Sequence, residues 1–261
     1  MYERVTIIDG VADRVRRNSR AFGDCIVTTL KKLLAALKRR YGTPALPPAR
    51  GPFELVLWEN ACYLMPDDRR REVFEGLRRD VGLTPAAILA ADRGVLLSWA
   101  KRGGMRPEVR VFRWQEIARI CRDQFGGDLD SILSQTYAQA KKALKQFPTI
   151  GDPGAEKILL FCGLAPGLPL ESNGLRVLTR VGYGREHLKN YGQTYKSVQE
   201  AIAAEIPQDP ERLTAAHLLL RQHGKEVCHT NEPACYDCPI AAECAYPAKR
   251  MQSFLRTDAA R

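Results

Sequence analysis

Cys228, Cys235, Cys238 and Cys244 fall within one short C-terminal stretch, spaced C-x6-C-x2-C-x5-C. Four thiolates on so short a loop can converge on a soft metal centre, either an iron–sulfur cluster or a zinc ion. Zinc ribbons usually pair two C-x2-C knuckles far apart, and only Cys235 and Cys238 form such a knuckle. The spacing is therefore unlike the usual zinc ribbon, and an iron–sulfur cluster, zinc and unligated thiols all stay open on these residues alone. His229, beside the first cysteine, reads as a surface histidine because the four-thiolate set is already complete. The other four cysteines lie scattered upstream, which argues against a disulfide framework.

A second group of residues has the chemistry of phosphate binding. Phe147-Pro148-Thr149-Ile150-Gly151 separates two helical patterns, with Asp152 as the expected N-cap of the second helix and Pro153 at its first position. The turn amides of Thr149, Ile150 and Gly151, with the next helix N-terminus, can face a backbone phosphate without reading bases. Lys141, Lys142 and Lys145 add positive charge on the preceding helix. The turn alone would equally suit an ordinary corner between helices. Its combination with the cysteine spacing downstream is what favours a nucleic-acid role.

The elements that position these residues are helical. Phe22, Ile26, Leu30, Leu33, Leu34 and Leu37 recur at helical spacing beside Lys31, Lys32, Lys38, Arg39 and Arg40, which predicts an amphipathic helix with a basic side. Residues 43–52 hold four prolines and a glycine and read as an extended connector. Helical patterns follow over 53–64, 69–80, 85–90, 113–125, 131–147, 153–162, 173–181, 197–206 and 210–223, with no long strand alternation. The expected fold is all-α: a middle helical domain over 51–165, with the hairpin at about 137–163, and a second domain from both chain ends, 1–50 and 166–261.

Forty Lys and Arg against thirty Asp and Glu leave a formal +10, which favours a polyanionic partner. No apolar run has membrane-spanning length, and Met1–Arg20 lacks a signal-peptide core, so a cytoplasmic, nucleoid-associated protein is expected. No flavin, haem or nucleotide motif accompanies the cysteines, which argues against an electron-transfer protein.

Pro52-Phe53-Glu54-Leu55, the hairpin, Arg176-Val177-Leu178, and His223-Gly224 before Cys228 resemble, in order and spacing, the endonuclease III and adenine-DNA glycosylase group of the helix-hairpin-helix glycosylase superfamily. The resemblance runs from about Phe53 to Cys244 and includes the cysteine loop, which resembles that group's 4Fe-4S loop. It implies a six-helix barrel joined to a cluster domain, and a partner of double-stranded DNA whose damaged or mismatched base is flipped out for N-glycosidic cleavage. A monomer is expected.

Three departures qualify what the resemblance implies. Members with lyase activity carry a lysine two residues beyond the second hairpin glycine, where this chain has Pro153; Lys157, one turn on, could in principle reach back. The family aspartate before the following helix corresponds to Glu171, a carboxylate able to stabilise positive charge on the sugar, or merely to cap the helix with Ser172. The loop His229–Ala234 has no Lys or Arg, so Arg221, Lys225, Lys249 and Arg250 would have to supply phosphate contacts. In the stretch Trp58–Met65 the resemblance implies Tyr63 and Leu64 as wedges filling the space left by a flipped base, while Glu59 and Asn60 would line a base pocket or face water. The function expected is a monofunctional DNA glycosylase assisted by Glu171; the alternative is a catalytically inactive lesion- or structure-binding protein on the same scaffold.

Overall fold

The computed structural model describes residues 28–246, so Phe22, Ile26, Lys249 and Arg250 lie outside the described residues. Every regular element among the described residues is helical. No helix among them is long and apolar enough to cross a membrane. The chain divides into a central unit, residues 44–169 with 207–215, and a second unit whose described residues are 28–43, 170–206 and 216–246.

The central unit contains α2 (Gly51–Glu59), α3 (Asp67–Asp80), α4 (Pro85–Ala90), α5 (Arg93–Arg102), α6 (Pro107–Phe125), a 3₁₀ turn (Leu129–Ser134), α7 (Tyr137–Leu144) and α8 (Asp152–Phe161). α2 is apolar on nearly every side and buries Phe53, Leu55, Val56, Leu57 and Trp58. A helix of that composition belongs at a centre, and α3, α6 and α8 pack against it. Trp58 meets Phe74 edge to face, ring centroids 5.4 Å apart, and Trp114, Ile117, Ile158 and Leu159 complete the surrounding core.

Two of the predicted helices are corrected and one further helix is added. The pattern over 131–147 is not one helix: Thr136 and Gln139 form a capping box, so the chain extends at Gln135 and restarts as α7. The helix expected to reach Leu64 stops at Glu59, and Leu64 takes a left-handed φ of 53°. α5, which the periodicity left unassigned, is initiated by Asp92, whose side chain accepts from Val95 N.

Trp99 on α5 lies over Gly76 of α3, its indole nitrogen donating to Asp80 at 3.0 Å and its ring flanked by the guanidinium groups of Arg79 and Arg102. A Cβ at position 76 would stand 2.4 Å from that ring. Gly76→Ala is therefore expected to destabilise the protein by about 1–3 kcal/mol through overpacking, read as a lower thermal midpoint. An unchanged midpoint would show that the ring can move aside freely.

The second unit comprises α1 (Leu30–Tyr41), α9 (Ser172–Val181), α10 (Tyr191–Ile202), the part of α11 (Pro210–Glu226) from residue 216 on, and 3₁₀ turns at Cys235–Asp237 and Ala241–Glu243. α1 starts at a Thr29 cap, buries Leu30, Leu33 and Leu37, and leaves Lys31, Lys32, Lys38 and Arg39 exposed, the amphipathic pattern read from its sequence. α10 begins at Tyr191, six residues earlier than the periodicity suggested, because Asn190 caps it by accepting from Gln193 N.

Candidate functional site

The hairpin lies between α7 and α8. Ile150 N donates to Phe147 O, and both side chains are buried, Phe147 stacking on Phe125 with centroids 5.9 Å apart. Thr149 sits at φ 65°, a left-handed conformation that costs a non-glycine residue roughly 1–2 kcal/mol. Asn60 offsets that cost. Its Nδ2 donates to Val56 O at 3.0 Å and Pro148 O at 3.1 Å, while its Oδ1 accepts from Thr149 Oγ1 at 2.9 Å. Asn60 is buried, so it does not face water; its three hydrogen bonds make it the strut of the turn. Asn60→Ala leaves the Pro148 carbonyl and the Thr149 hydroxyl without these partners. The expected cost is about 1–3 kcal/mol, seen in chemical unfolding and in faster hydrogen exchange at Ile150; unaltered exchange there would remove the strut.

Gly151, not Asp152, is the N-cap of α8, and no side chain caps that helix. A Cβ on Gly151 would meet only Pro153 Cδ at 3.9 Å, so the start of α8 is sterically open. Asp152 is instead engaged by Lys141 (3.1 Å) and Lys145 (2.9 Å), whose hydrogen bonds hold its carboxyl below the usual range, and Lys141 also meets Glu156 at 2.5 Å. Two of the three lysines expected to supply positive charge beside the turn, Lys141 and Lys145, are thus met by carboxylates, while Lys142 is exposed. Beside Lys142, the hairpin offers an anion backbone N–H groups and the helix end.

Glu59 and Lys157 form an ion pair at 2.6 Å, each side chain less than one-fifth exposed. Lys157 is therefore engaged by a carboxylate of α2 rather than directed back toward the Pro153 position, an arrangement that does not present its amine for attack. Beyond the end of α2, Tyr63 and Leu64 are exposed, Leu64 to 79%. They are not part of a buried helical stripe. Tyr63 N donates to Gly103 O at 3.1 Å, fastening their loop to the one before α6. That second loop is braced from beneath by Arg110, buried, whose guanidinium donates to the carbonyls of Ala100, Gly104 and Met105. It presents Met105, 67% exposed, beside Arg106 at φ 57°. Two fastened loops, each carrying a bare apolar side chain, form one rim. Sequence reasoning missed Met105; the signal was a Gly103-Gly104 pair just before Pro107.

In the second unit, Glu171 is the N-cap of α9. Its Oε1 accepts from Gly174 N and its Oε2 from Asn173 Nδ2, both at 2.7 Å. Asn173 Oδ1 accepts from Arg176 Nη2 at 2.7 Å, and Arg176 donates on to Gly224 O and Cys228 O, each at 2.8 Å. A Cβ at position 224 would lie 2.6 Å from Asn173 Cβ, so only glycine lets α11 approach this closely. The carboxylate is thus tied through two side chains to the backbone of the first cysteine.

Cys228, Cys235, Cys238 and Cys244 line one cavity of about 350 Å³, open solvent at its mouth included, with apolar walls from Val177, Val181 and Ile240. No group of three or more His, Cys, Asp or Glu side chains among the described residues is disposed to hold a single metal ion. Burial pushes the Cys238 and Cys244 thiols up to about 11, and the buried His223 imidazole down to about 4. Arg180 encloses the cavity: it donates to Cys228 Sγ at 3.3 Å, to His229 O at 2.6 Å and to Thr230 O at 2.7 Å, while its own carbonyl accepts from Cys244 Sγ. The loop after Cys228, which has no Lys or Arg of its own, is organised by this one guanidinium. His229 itself is exposed.

Among the described residues, an all-helical chain thus carries an uncapped hairpin, an apolar rim and a cavity lined by four cysteines. No family model matches the chain. A thymine-DNA glycosylase of Aeropyrum pernix is 24% identical over 226 residues, covering 84% of this chain and 95% of that protein. An endonuclease III of Sulfolobus acidocaldarius is 26% identical over 175 residues, covering 66% of this chain and 72% of that protein. A solved structure of a trapped endonuclease III–DNA covalent intermediate superposes with a TM-score of 0.64 at 19% identity, covering 85% of this chain and 99% of that one. Fold and relatives together place the chain in the helix-hairpin-helix DNA glycosylase superfamily.

Proposed function

We propose that the protein is a DNA glycosylase that extrudes a damaged or mismatched base from double-stranded DNA and hydrolyses its N-glycosidic bond, leaving an intact abasic site. The observation that carries this reading is Glu171, a carboxylate fixed by two hydrogen bonds before substrate arrives. A fixed negative charge aimed at a sugar that becomes positive as its base departs lowers the barrier without reorganisation, and the same carboxylate can orient the attacking water. The hairpin amides at Thr149 and Gly151, with the start of α8, hold a phosphate, whereas the Ile150 amide is spent on Phe147 O inside the turn, and Tyr63 and Leu64, joined by Met105, fill the space vacated by the base.

Lyase chemistry needs an unprotonated amine at the hairpin. Pro153 has none, and Lys157 is paired with Glu59. The four cysteines suit a 4Fe-4S cluster. They share one cavity with apolar walls, and four thiolates are the ligand set that such a cluster takes. When bound, such a cluster supplies metal–thiolate bonds that tie residues 228–244 together.

A second reading is favoured by one observation: both Glu171 oxygens are already accepting bonds, as in a plain helix cap. On that reading the protein binds lesions without cleaving. Purified protein incubated with a panel of damaged and mismatched duplexes, with released base quantified by chromatography, separates the two. Release from at least one duplex is expected; binding without release across the panel would favour the binder.

A further inference from the structure

Two side chains at the end of α1 reach the cysteine turn. Arg40 makes a two-point ion pair with Asp237, which lies between Cys235 and Cys238. Next to it, the Tyr41 hydroxyl is 2.9 Å from His223 Nδ1, and His223 Nε2 is 3.5 Å from Cys238 Sγ. His223 is 1% exposed, so these two neighbours, rather than water, decide where its ring proton sits.

The chemistry of the sulfur selects one arrangement. A Cys238 sulfur bonded to iron has no proton to donate, so a ring nitrogen facing it forms a hydrogen bond only as N–H. The neutral ring carries that proton on Nε2 when Nδ1 is an acceptor, and the Tyr41 hydroxyl can donate to it. The opposite tautomer leaves a nitrogen lone pair against the sulfur. We propose that Tyr41 fixes the tautomer of His223, and that His223 acts as a positioning residue whose Nε2–H donates to the Cys238 sulfur and raises the reduction potential of the cluster. This rests on the four cysteines holding a 4Fe-4S cluster as argued above. Hydrogen bonds to ligand sulfurs stabilise the reduced, more negative state, and partners of this kind orient and tune a metal centre.

The test uses anaerobically purified full-length protein, with iron content measured first and the cluster potential then read by direct electrochemistry. The parent is expected to carry about four irons per chain; a parent without iron overturns the cluster reading and this proposal with it. His223→Leu is expected to shift the redox equilibrium about tenfold toward the oxidised form, 59 mV for a one-electron couple. His223→Gln, whose amide can donate from near the Nε2 position, is expected to recover most of that shift. Tyr41→Phe removes one oxygen and keeps the packing, so it remains informative if His223→Leu does not fold. It is expected to shift the potential in the same direction by less. Nitrogen chemical shifts of His223 in the loaded protein should show Nε2 protonated and Nδ1 bare. Iron-loaded His223→Leu and Tyr41→Phe with the parent's potential, or the reverse tautomer, would overturn the proposal while leaving the cluster reading intact.

Discussion

Glu171→Gln is expected to slow base release by about 10²–10³-fold, the usual cost of losing one fixed electrostatic contact to a transition state, with duplex binding nearly unchanged. Glutamine keeps the side-chain length and one oxygen, which can still accept from Gly174 N, so α9 keeps its cap. What disappears is the charge. The other terminal atom becomes an NH₂ facing Asn173 Nδ2, a donor against a donor, so a loss of about 1 kcal/mol in stability is expected as well. Single-turnover base release and the thermal midpoint, measured on the same preparations, distinguish the two effects. A large loss of rate beside a small loss of stability is the catalytic result. Equal rates would make Glu171 only a cap.

Cys238→Ser is expected to cause the largest structural loss in the second unit. A serine hydroxyl is a far poorer ligand for iron than a thiolate, and metal binding in a small subdomain is coupled to its folding. Cys238 also lies at the junction of the two contacts from α1, through His223 and through its neighbour Asp237. Iron content should fall well below the parent's, with the cooperative unfolding of the second unit lost. The reach of the damage follows from the chain Cys228–Arg176–Asn173–Glu171: base release should fall although Glu171 itself is untouched. A colourless, fully folded and active Cys238→Ser protein would contradict this.

The parts of the molecule legible in the sequence are those whose information is local. The all-helical fold follows from apolar spacing, α4 has the limits that its pattern gave, and the hairpin is visible as a turn between two helical runs. The cysteine loop is visible because its members lie close together in the chain. Their surroundings were not, because the partners come from far away. Asn60 holds a turn 88 residues on, Arg180 reaches a sulfur 48 residues on, and Tyr41 meets His223 across 182 residues. Composition and periodicity carry no record of such pairings. The lysines near the hairpin illustrate the same limit: Lys141, Lys145 and Lys157 count as positive charge in the sequence, while Asp152, Glu156 and Glu59 meet them in the fold. Exposed Tyr63 and Leu64 differ for a backbone reason, since the helix that would have buried them ends at Glu59.

Product analysis on a cleavable duplex tests the central claim most directly. The strand that has lost its base is run on a denaturing gel with and without alkali, and parallel reactions receive borohydride. The claim that Glu171 assists hydrolysis, with no free amine at the hairpin, predicts an intact abasic strand that breaks only after alkali, and no trapped protein–DNA complex. Efficient borohydride trapping, with strand breaks before alkali, would contradict it and would assign the chemistry to an amine such as Lys157 released from Glu59.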